Sequence, residues 1–156
     1  MLAHSRQVIG GSAPSVERPA ARNSPLSPKK SAHVRILVVD DEPLVRWCVS
    51  ETLTEQGYEV TEAGDGASAL RAFSAAAGAA DVVLLDLHLP DSDDLRVLSM
   101  MRRAAPATPV IVMTAYGSPE ELAEARRLGA FAVMDKPFEM NALAPLVERA
   151  LAARPN

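Results

Sequence analysis

Five short apolar runs, each followed by a stretch of helical periodicity, fill the sequence from Arg35 onward. The runs are Arg35–Val39, Tyr58–Glu62, Asp81–Leu85, Pro109–Met113 and Phe131–Met134. The second alternates apolar and polar residues, whereas the others are nearly continuous, as in strands that are buried on both faces of a sheet. Each gap between runs holds one crossover helix, and strands joined in this way lie parallel. The sequence therefore predicts an α/β fold, a doubly wound sheet of five parallel strands with helices on both faces.

The stretches between the runs carry the start and stop signals of helices. We expect helices at Pro43–Gln56, Ala67–Ala77, Asp94–Arg103, Pro119–Leu128 and about Glu139–Ala152. Gly57 and Gly129 follow the first and fourth of these, as glycine commonly follows a helix C-terminus. Ser118 is the expected N-cap of the fourth helix. Pro145 falls inside the last helix, where we expect it to remove a backbone hydrogen bond and kink the helix.

Residues 1–33 differ from the rest of the chain. They contain several prolines and serines, no hydrophobic periodicity, and basic residues that outnumber the single acid, Glu17. Such a segment buries too little apolar surface to offset its ordering entropy, so we expect a disordered basic N-terminal tail. A docking tail, an organellar transit peptide and an extension without function all remain open for it. The folded domain is expected at residues 34–153.

Composition argues against several classes of protein. The formal net charge of -4 disfavours a chain-wide basic surface for nucleic acid. Cys48 is the only cysteine, so the chain can form neither an internal disulfide nor a cysteine-based zinc site. No apolar run approaches the ~18 residues that a membrane-spanning helix needs. We therefore expect a cytoplasmic protein without membrane insertion.

Chemically useful residues directly follow four of the five predicted strands. Asp40 and Asp41 come after the first strand, and Asp86 comes after the third. Thr114 follows the fourth strand, and Lys136 lies just beyond the fifth. Because sites in open parallel sheets lie outside the carboxyl ends of the strands, we expect these side chains to converge on one edge.

Three aspartates at one edge call for positive charge. A pair of unit charges 4 Å apart repels by about 4 kcal/mol at an effective dielectric constant of 20. Carboxylate oxygens suit Mg²⁺ or Mn²⁺, which would relieve the repulsion. A lysine and a hydroxyl beside the metal can hold the oxygens of a transferring phosphoryl group, and an aspartate can accept that group covalently. The pattern therefore indicates phosphoryl transfer.

Four segments carry a resemblance to a known family. They are RILVVDDEPLVR at 35–46, DVVLLDLHLPDSDDL at 81–95, TPVIVMTAYGS at 108–118 and GAFAVMDKPF at 129–138. In this order and spacing they resemble the receiver domain of two-component response regulators, and the resemblance covers residues 35–153. It implies the flavodoxin-like receiver fold, with five parallel strands in the order 2-1-3-4-5, which agrees with the pattern of runs.

The resemblance also implies individual roles. Asp86 is similar to the aspartate that a phosphohistidine of the partner kinase phosphorylates. Asp40 and Asp41 resemble the acidic pair that holds Mg²⁺ together with Asp86 and the backbone carbonyl of His88, with Asp41 the more direct ligand of the pair. Mn²⁺ is the alternative ion. The domain is thus expected to be a phosphoprotein of a Mg²⁺-dependent phosphorelay.

Two further residues would respond to the phosphoryl group. Thr114 resembles the switch hydroxyl that turns toward the phosphoryl oxygens. Lys136 resembles the lysine that pairs first with the carboxylates and then with the phosphoryl group, and the resemblance implies a cis Lys136–Pro137 peptide bond.

The sequence departs from the family pattern at Val133 and in the loop at 90–94, and His88 occupies a further position of interest. Val133 replaces the aromatic residue that commonly lies three residues before the lysine, and Tyr116 is the candidate to take over part of its role. The loop after the phosphoacceptor reads Pro-Asp-Ser-Asp-Asp at 90–94, without the usual glycine, so its extra carboxylates are candidate modulators of metal affinity or partner choice. His88 occupies a position that in this family influences how long the phosphoryl group persists.

The resemblance also implies partners. A sensor histidine kinase or a phosphotransfer protein would donate the phosphoryl group. A downstream protein, not identified by the sequence, would bind the face built from the fourth helix, the fifth strand and the fifth helix. Few residues follow the last predicted helix, so we expect a stand-alone single-domain receiver that does not bind nucleic acid directly.

Three hypotheses of function are compatible with these residues. The first is a phosphorylatable receiver, a regulatory phosphoacceptor that promotes phosphorylation and dephosphorylation of its own aspartate and is not otherwise an enzyme. The second is a receiver-like interaction module that is not phosphorylated. The third is a Mg²⁺-dependent phosphohydrolase with an aspartyl-phosphate intermediate. Its usual Asp-x-Asp pattern is absent, because Leu87 and His88 follow Asp86.

Overall fold

The computed structural model describes residues 33–75, 80–93 and 95–155. Five parallel strands form one sheet in the order β2-β1-β3-β4-β5. The strands are β1 Arg35–Val39, β2 Glu59–Ala63, β3 Val82–Asp86, β4 Val110–Thr114 and β5 Ala132–Asp135. The predicted architecture and strand order are confirmed. The expectation of a disordered tail falls almost wholly on residues outside those that the structure describes.

The helices follow the strands as expected, with small shifts at their ends. They are α1 Pro43–Glu55, α2 Gly66–Ala75, α3 Arg96–Ala104, α4 Pro119–Arg127 and α5 Leu143–Ala152, with a 3₁₀ turn at Met140–Ala142. In the part of the chain that the structure describes, no helix has the length and apolarity needed to cross a membrane.

Local chemistry explains the bounds of α4. The Ser118 hydroxyl accepts a hydrogen bond from the backbone N–H of Glu121, and Pro119 occupies the first helical turn. Gly129, just past the helix, has φ +101°, a conformation that a residue with a Cβ adopts only with strain. The cap and the stop glycine predicted for this helix are both confirmed.

The last helix differs from its prediction. We expected one helix from about Glu139, with a kink at Pro145. A 3₁₀ turn instead occupies Met140–Ala142, and α5 begins at Leu143. Pro145 therefore lies in the first turn of α5, where backbone N–H groups lack an acceptor within the helix. Its missing N–H thus interrupts no interior turn, and the expectation of an interior kink was wrong.

Two apolar layers cover the sheet. Leu37 and Val39 face one layer, formed mainly with α2 and α3, whereas Ile36 and Val38 face the other, formed with α1 and α5. This alternation follows from the period of two along a strand. Every residue of β3 and β4 is buried. These two interior strands are thereby packed on both faces, and their last residues are Asp86 and Thr114.

Strand register sets the positions of the polar residues. Asp86 is the last residue of β3 and pairs with Met113 of β4, one residue before Thr114. Thr114 in turn pairs with Asp135, the neighbour of Lys136. Asp40 follows β1 directly, and its N–H donates to the carbonyl of Ala63 at 3.1 Å. All the predicted polar residues therefore lie at the same edge of the sheet.

Candidate functional site

Lys136 lies at the centre of the acidic edge. Its Nζ donates to Asp40 Oδ2 at 2.6 Å and to Asp86 Oδ2 at 3.2 Å. The three residues come from the ends of β5, β1 and β3, which lie at the same edge of the sheet because the strands are parallel. The peptide bond after Lys136 is cis, as the resemblance implied. The ammonium group thus bridges two carboxylates that are 46 residues apart in sequence.

Burial strengthens the electrostatic interactions of Lys136 with Asp40 and Asp86. The side chain of Asp40 is fully buried, and the side chains of Asp86 and Lys136 are 4% and 10% exposed. Burial raises the pKa of Asp86, against the opposing effects of the His88 N–H and of Lys136. Burial also works against the charged form of Lys136, but the hydrogen bond and charge of Asp40, supported by Asp86, raise its pKa overall. Lys136 therefore stays protonated and is the counterion of the two carboxylates.

Three carboxylates are placed to share a cation. Asp40, Asp41 and Asp86 each offer one oxygen, and these oxygens lie within 4.8 Å of one another. Asp41 is exposed, whereas the other two are buried, so the group opens toward solvent through Asp41. A cluster of hard oxygen donors with one open side suits Mg²⁺, which keeps several of its waters. The residues present therefore fit the predicted ion.

The backbone of His88 contributes to the same group. Its N–H donates to Asp86 Oδ1 at 3.0 Å, so both oxygens of the Asp86 carboxylate accept hydrogen bonds. His88 also lines a cavity of about 150 Å³ that Asp41, Asp86 and Lys136 share. We call this the entrance cavity, and Asp86 lies in its wall.

The two candidate modulators of the switch differ in their surroundings. Tyr116 is 88% exposed and borders both the entrance cavity and a larger neighbouring cavity of about 490 Å³. Val133 is partly buried and packs against the apolar layer formed with α2 and α3. A valine at this position fills core volume and has no ring to rotate, whereas Tyr116 has room to move.

Thr114 lies buried at the end of β4, 1% exposed. Its carbonyl accepts a hydrogen bond from the Lys136 N–H at 2.8 Å, which ties the two loops together. Its hydroxyl oxygen is buried and has no hydrogen-bond partner among the described residues. A buried hydroxyl without a partner costs about 1–3 kcal/mol, and a phosphoryl oxygen would supply one.

Replacing Thr114 with valine tests this hydroxyl. We expect Thr114→Val to keep or raise the free energy of unfolding of the unphosphorylated protein, by up to about 1–3 kcal/mol, because it removes the unpaired polar group. Urea denaturation measures the change. Thr108→Val is the matched control, because the buried Thr108 hydroxyl donates to the Ala80 carbonyl at 3.3 Å and its loss should destabilise. A destabilised Thr114→Val protein would contradict the expectation.

Glu121 is a residue of the site that the sequence interpretation missed. It holds the position at which a capping-box glutamate would reach back to the N–H of Ser118. Its carboxylate instead lies 4.0 Å from the His88 imidazole and is only 14% exposed. The first turn of α4 is thereby linked to the loop after Asp86. The Ser-x-x-Glu spacing at 118–121 is typical of a capping box, a local contact, and carries no signal of this distant one.

Asp91 also differs from its sequence interpretation. The carboxylates of the 90–94 loop were candidate modulators of metal affinity or partner choice. The two oxygens of Asp91 instead accept hydrogen bonds from the N–H groups of Gly66 and Ala67, at 2.7 and 3.0 Å. Asp91 therefore caps α2 from a distant part of the chain, and its carboxylate is not a spare metal ligand.

Comparisons with known proteins point to one family. Residues 36–148 match the family described as "Response regulator receiver domain". Regulatory protein AtoC of Escherichia coli is 44% identical over 117 residues, which are 75% of this chain and 25% of AtoC. Sporulation initiation phosphotransferase F of Bacillus subtilis is 32% identical over 122 residues, 78% of this chain and 97% of that protein. The chain thus spans about a quarter of AtoC and nearly all of the shorter relative.

Solved structures show the same fold. A CheY-like response regulator receiver domain protein from Methanospirillum hungatei superposes with a TM-score of 0.73 at 26% identity, covering 78% of this chain and 95% of that one. The receiver domain of NtrX from Brucella abortus gives a TM-score of 0.69 at 37% identity, with 76% and 98% coverage.

Proposed function

The chain belongs to the response regulator receiver family, whose domains are phosphoacceptors of two-component signalling, and from this premise we propose that Asp86 is its phosphoacceptor. One observation supports the assignment most strongly. Asp86 ends a fully buried strand, and its carboxylate accepts hydrogen bonds from Lys136 and from the His88 N–H at the base of an open cavity. A nucleophile fixed in this way faces an incoming phosphorus atom in one orientation.

The proposed reaction transfers the phosphoryl group from a phosphohistidine to Asp86. An oxygen of the Asp86 carboxylate forms the new P–O bond while the P–N bond of the donor breaks and the imidazole keeps the bonding electron pair. Receiver domains bind Mg²⁺ at an acidic pocket, and here Asp40, Asp41, Asp86 and the His88 carbonyl are the proposed ligands. A bound Mg²⁺ would neutralise the charge of the transferring oxygens. Mn²⁺ satisfies the same donors.

Lys136 and Thr114 are the proposed responders. In the resting state the Lys136 ammonium neutralises the Asp40 and Asp86 carboxylates. Once Asp86 carries a phosphoryl group of about -1.5 to -2 charge, the ammonium gains a stronger acceptor close by. The buried Thr114 hydroxyl gains its missing partner in the same oxygens. Because the Lys136 N–H is bonded to the Thr114 carbonyl, the two loops would move together.

The proposed partners are a phosphoryl donor and a downstream protein. Receiver domains interact with histidine kinases, and we propose that a sensor histidine kinase or a phosphotransfer protein is the donor here. We further propose that a downstream protein reads the α4, β5 and α5 surface, with Tyr116 rather than Val133 as the mobile side chain. We propose that the chemistry is confined to the domain's own phosphoaspartate, which distinguishes it from a phosphohydrolase with a separate substrate.

Phosphorylation by a small donor tests the proposed function. After incubation with acetyl phosphate and Mg²⁺, intact-mass spectrometry should show one added phosphoryl group. EDTA should prevent the gain, because the acidic group then keeps its repulsion toward the phosphoryl oxygens. Asp41→Asn should strongly reduce the gain, because it removes the carboxylate that is proposed to bind the ion on the solvent side of the group. A protein that gains no phosphoryl group, from acetyl phosphate or from a phosphorylated kinase, would instead support a non-phosphorylated interaction module.

A further inference from the structure

Arg46, in the second turn of α1, reaches back to the acidic edge. Its Nη1 donates to the backbone carbonyl oxygen of Asp40 at 2.7 Å. The guanidinium also passes close to the chain after β2, where a Cβ built on Gly64 would lie 3.1 Å from Nη1. The side chain is 24% exposed, so it is largely enclosed between the first loop and β2.

The carbonyl that Arg46 binds belongs to the peptide joining Asp40 to Asp41. The other polar groups of Asp40 are also held. Its N–H bonds to Ala63, Oδ1 accepts from the Glu42 N–H at 2.9 Å, and Oδ2 accepts from Lys136. The Arg46 hydrogen bond completes this set. Because a peptide unit is planar, fixing its carbonyl also fixes the direction in which the chain enters Asp41.

Arg46 is itself held by a second partner. Its Nε lies 3.7 Å from Glu62 Oε1, and the same oxygen accepts a hydrogen bond from the Ser50 hydroxyl at 2.9 Å. The guanidinium is thus anchored to β2 and α1 while it orients the loop. A surface ion pair alone would contribute little, but the hydrogen bond to the Asp40 carbonyl gives Arg46 a second contact, at the metal-ligand loop.

We propose that Arg46 is a positioning residue of the cation site. It fixes the Asp40–Asp41 peptide so that the exposed Asp41 carboxylate meets the same ion as the buried Asp40 and Asp86. This inference rests on the proposed function, because it requires Asp41 to bind the ion. Partners that orient metal ligands in this way typically account for a 10- to 100-fold difference in affinity.

The direction of the change in Mg²⁺ affinity distinguishes a positioning role of Arg46 from a purely electrostatic one. A guanidinium near three carboxylates repels an incoming cation, so if Arg46 acted only as a nearby charge, its removal would tighten Mg²⁺ binding. If Arg46 positions Asp41, its removal weakens binding despite the gain in local negative charge. The two roles therefore predict opposite changes in the Mg²⁺ dissociation constant.

The experiment is a Mg²⁺ titration of the full chain by calorimetry, followed in parallel by the fluorescence of Trp47, the only tryptophan and the neighbour of Arg46. Arg46→Met should weaken Mg²⁺ binding about tenfold or more. Arg127→Met is the matched control, because it removes the same charge from an exposed arginine of α4 paired with Glu124, and it should leave the affinity unchanged. Melting without Mg²⁺ establishes that each variant folds.

Gly64→Ala provides a second variant that alters no charge. Its new methyl group would press on the Arg46 guanidinium and should weaken Mg²⁺ binding by a smaller factor. It carries the test if Arg46→Met fails to fold. Unchanged or tighter binding in the folded variants would overturn the inference. If Asp41→Asn binds Mg²⁺ as well as the unaltered chain does, the proposed metal site itself fails, which is a separate result.

Discussion

Asp86→Asn is expected to abolish phosphoryl uptake from acetyl phosphate without lowering the free energy of unfolding. The amide has no carboxylate oxygen to attack phosphorus, so the added mass seen with the unaltered chain should disappear. The Lys136 ammonium keeps its 2.6 Å hydrogen bond to Asp40, so the variant leaves no buried cation unpaired. Intact-mass spectrometry measures the first effect and urea denaturation measures the second.

The pKa of Asp86 gives this prediction a pH dependence. Burial raises the pKa of Asp86 above its ordinary value of 3.8, so the ionised carboxylate is less favourable in the folded than in the unfolded chain. The free-energy cost of ionising Asp86 in the folded chain begins as the pH rises above 3.8 and is complete above the folded-state pKa. Asp86→Asn should therefore be at least as stable as the unaltered protein at pH 7, and this advantage should vanish below pH 3.8.

Asp93→Asn is the matched control, because Asp93 lies exposed in the loop after Asp86. It should retain full phosphoryl uptake. Continued uptake by Asp86→Asn would place the acceptor at another residue. A clear loss of stability at pH 7 would show that the Asp86 carboxylate contributes more to folding than its burial implies.

Lys136→Met is expected to lower the free energy of unfolding by about 3–5 kcal/mol in EDTA, as breaking a buried ion pair does. The ammonium is the counterion of Asp40 and Asp86, both buried, and methionine leaves their charges uncompensated. The loss should shrink at low pH, where Asp86, whose pKa is already raised, takes up a proton. Phosphoryl uptake should also fall, because the transferred oxygens lose their proposed cationic partner.

Urea denaturation, once with EDTA and once with Mg²⁺, measures the change in stability, and intact-mass spectrometry measures the phosphoryl uptake. Added Mg²⁺ should stabilise Lys136→Met more than it stabilises the unaltered chain, because the ion can replace the missing positive charge. Arg127→Met, which breaks an exposed pair with Glu124, should change stability little under either condition. Equal stability of Lys136→Met and the unaltered chain in EDTA would contradict the assigned role of Lys136 as the resting counterion.

The sequence was sufficient to predict the sheet and the convergence of the acidic edge. Both depend on local patterns, since apolar runs define the strands and parallel strands bring their ends together. Asp40 after β1, Asp86 at the end of β3 and Lys136 after β5 were therefore placed correctly with no knowledge of the loops. That Asp86 closes β3 itself, rather than following it, is a shift of one residue.

The missed contacts all involve side chains that cross between elements. Glu121 turns to His88 instead of capping its own helix, Arg46 reaches the Asp40 carbonyl, and Asp91 caps α2. Each joins residues whose proximity depends on loop conformation, which spacing along the chain does not determine. Pro145 was misjudged for a related reason, because the 3₁₀ turn before α5 moved the start of the helix.

The cap that Asp91 places on α2 limits the length of the chain that follows Asp86. Asp86 is fixed as the last residue of β3, and Asp91 is held by two hydrogen bonds at the start of α2. The intervening segment is thus stretched between two anchors, and one added or deleted residue would displace either the cap or the entrance to the cavity. A peptide grafted into this segment is therefore expected to disturb the cap or the cavity, whereas a side-chain replacement within it leaves both anchors in place.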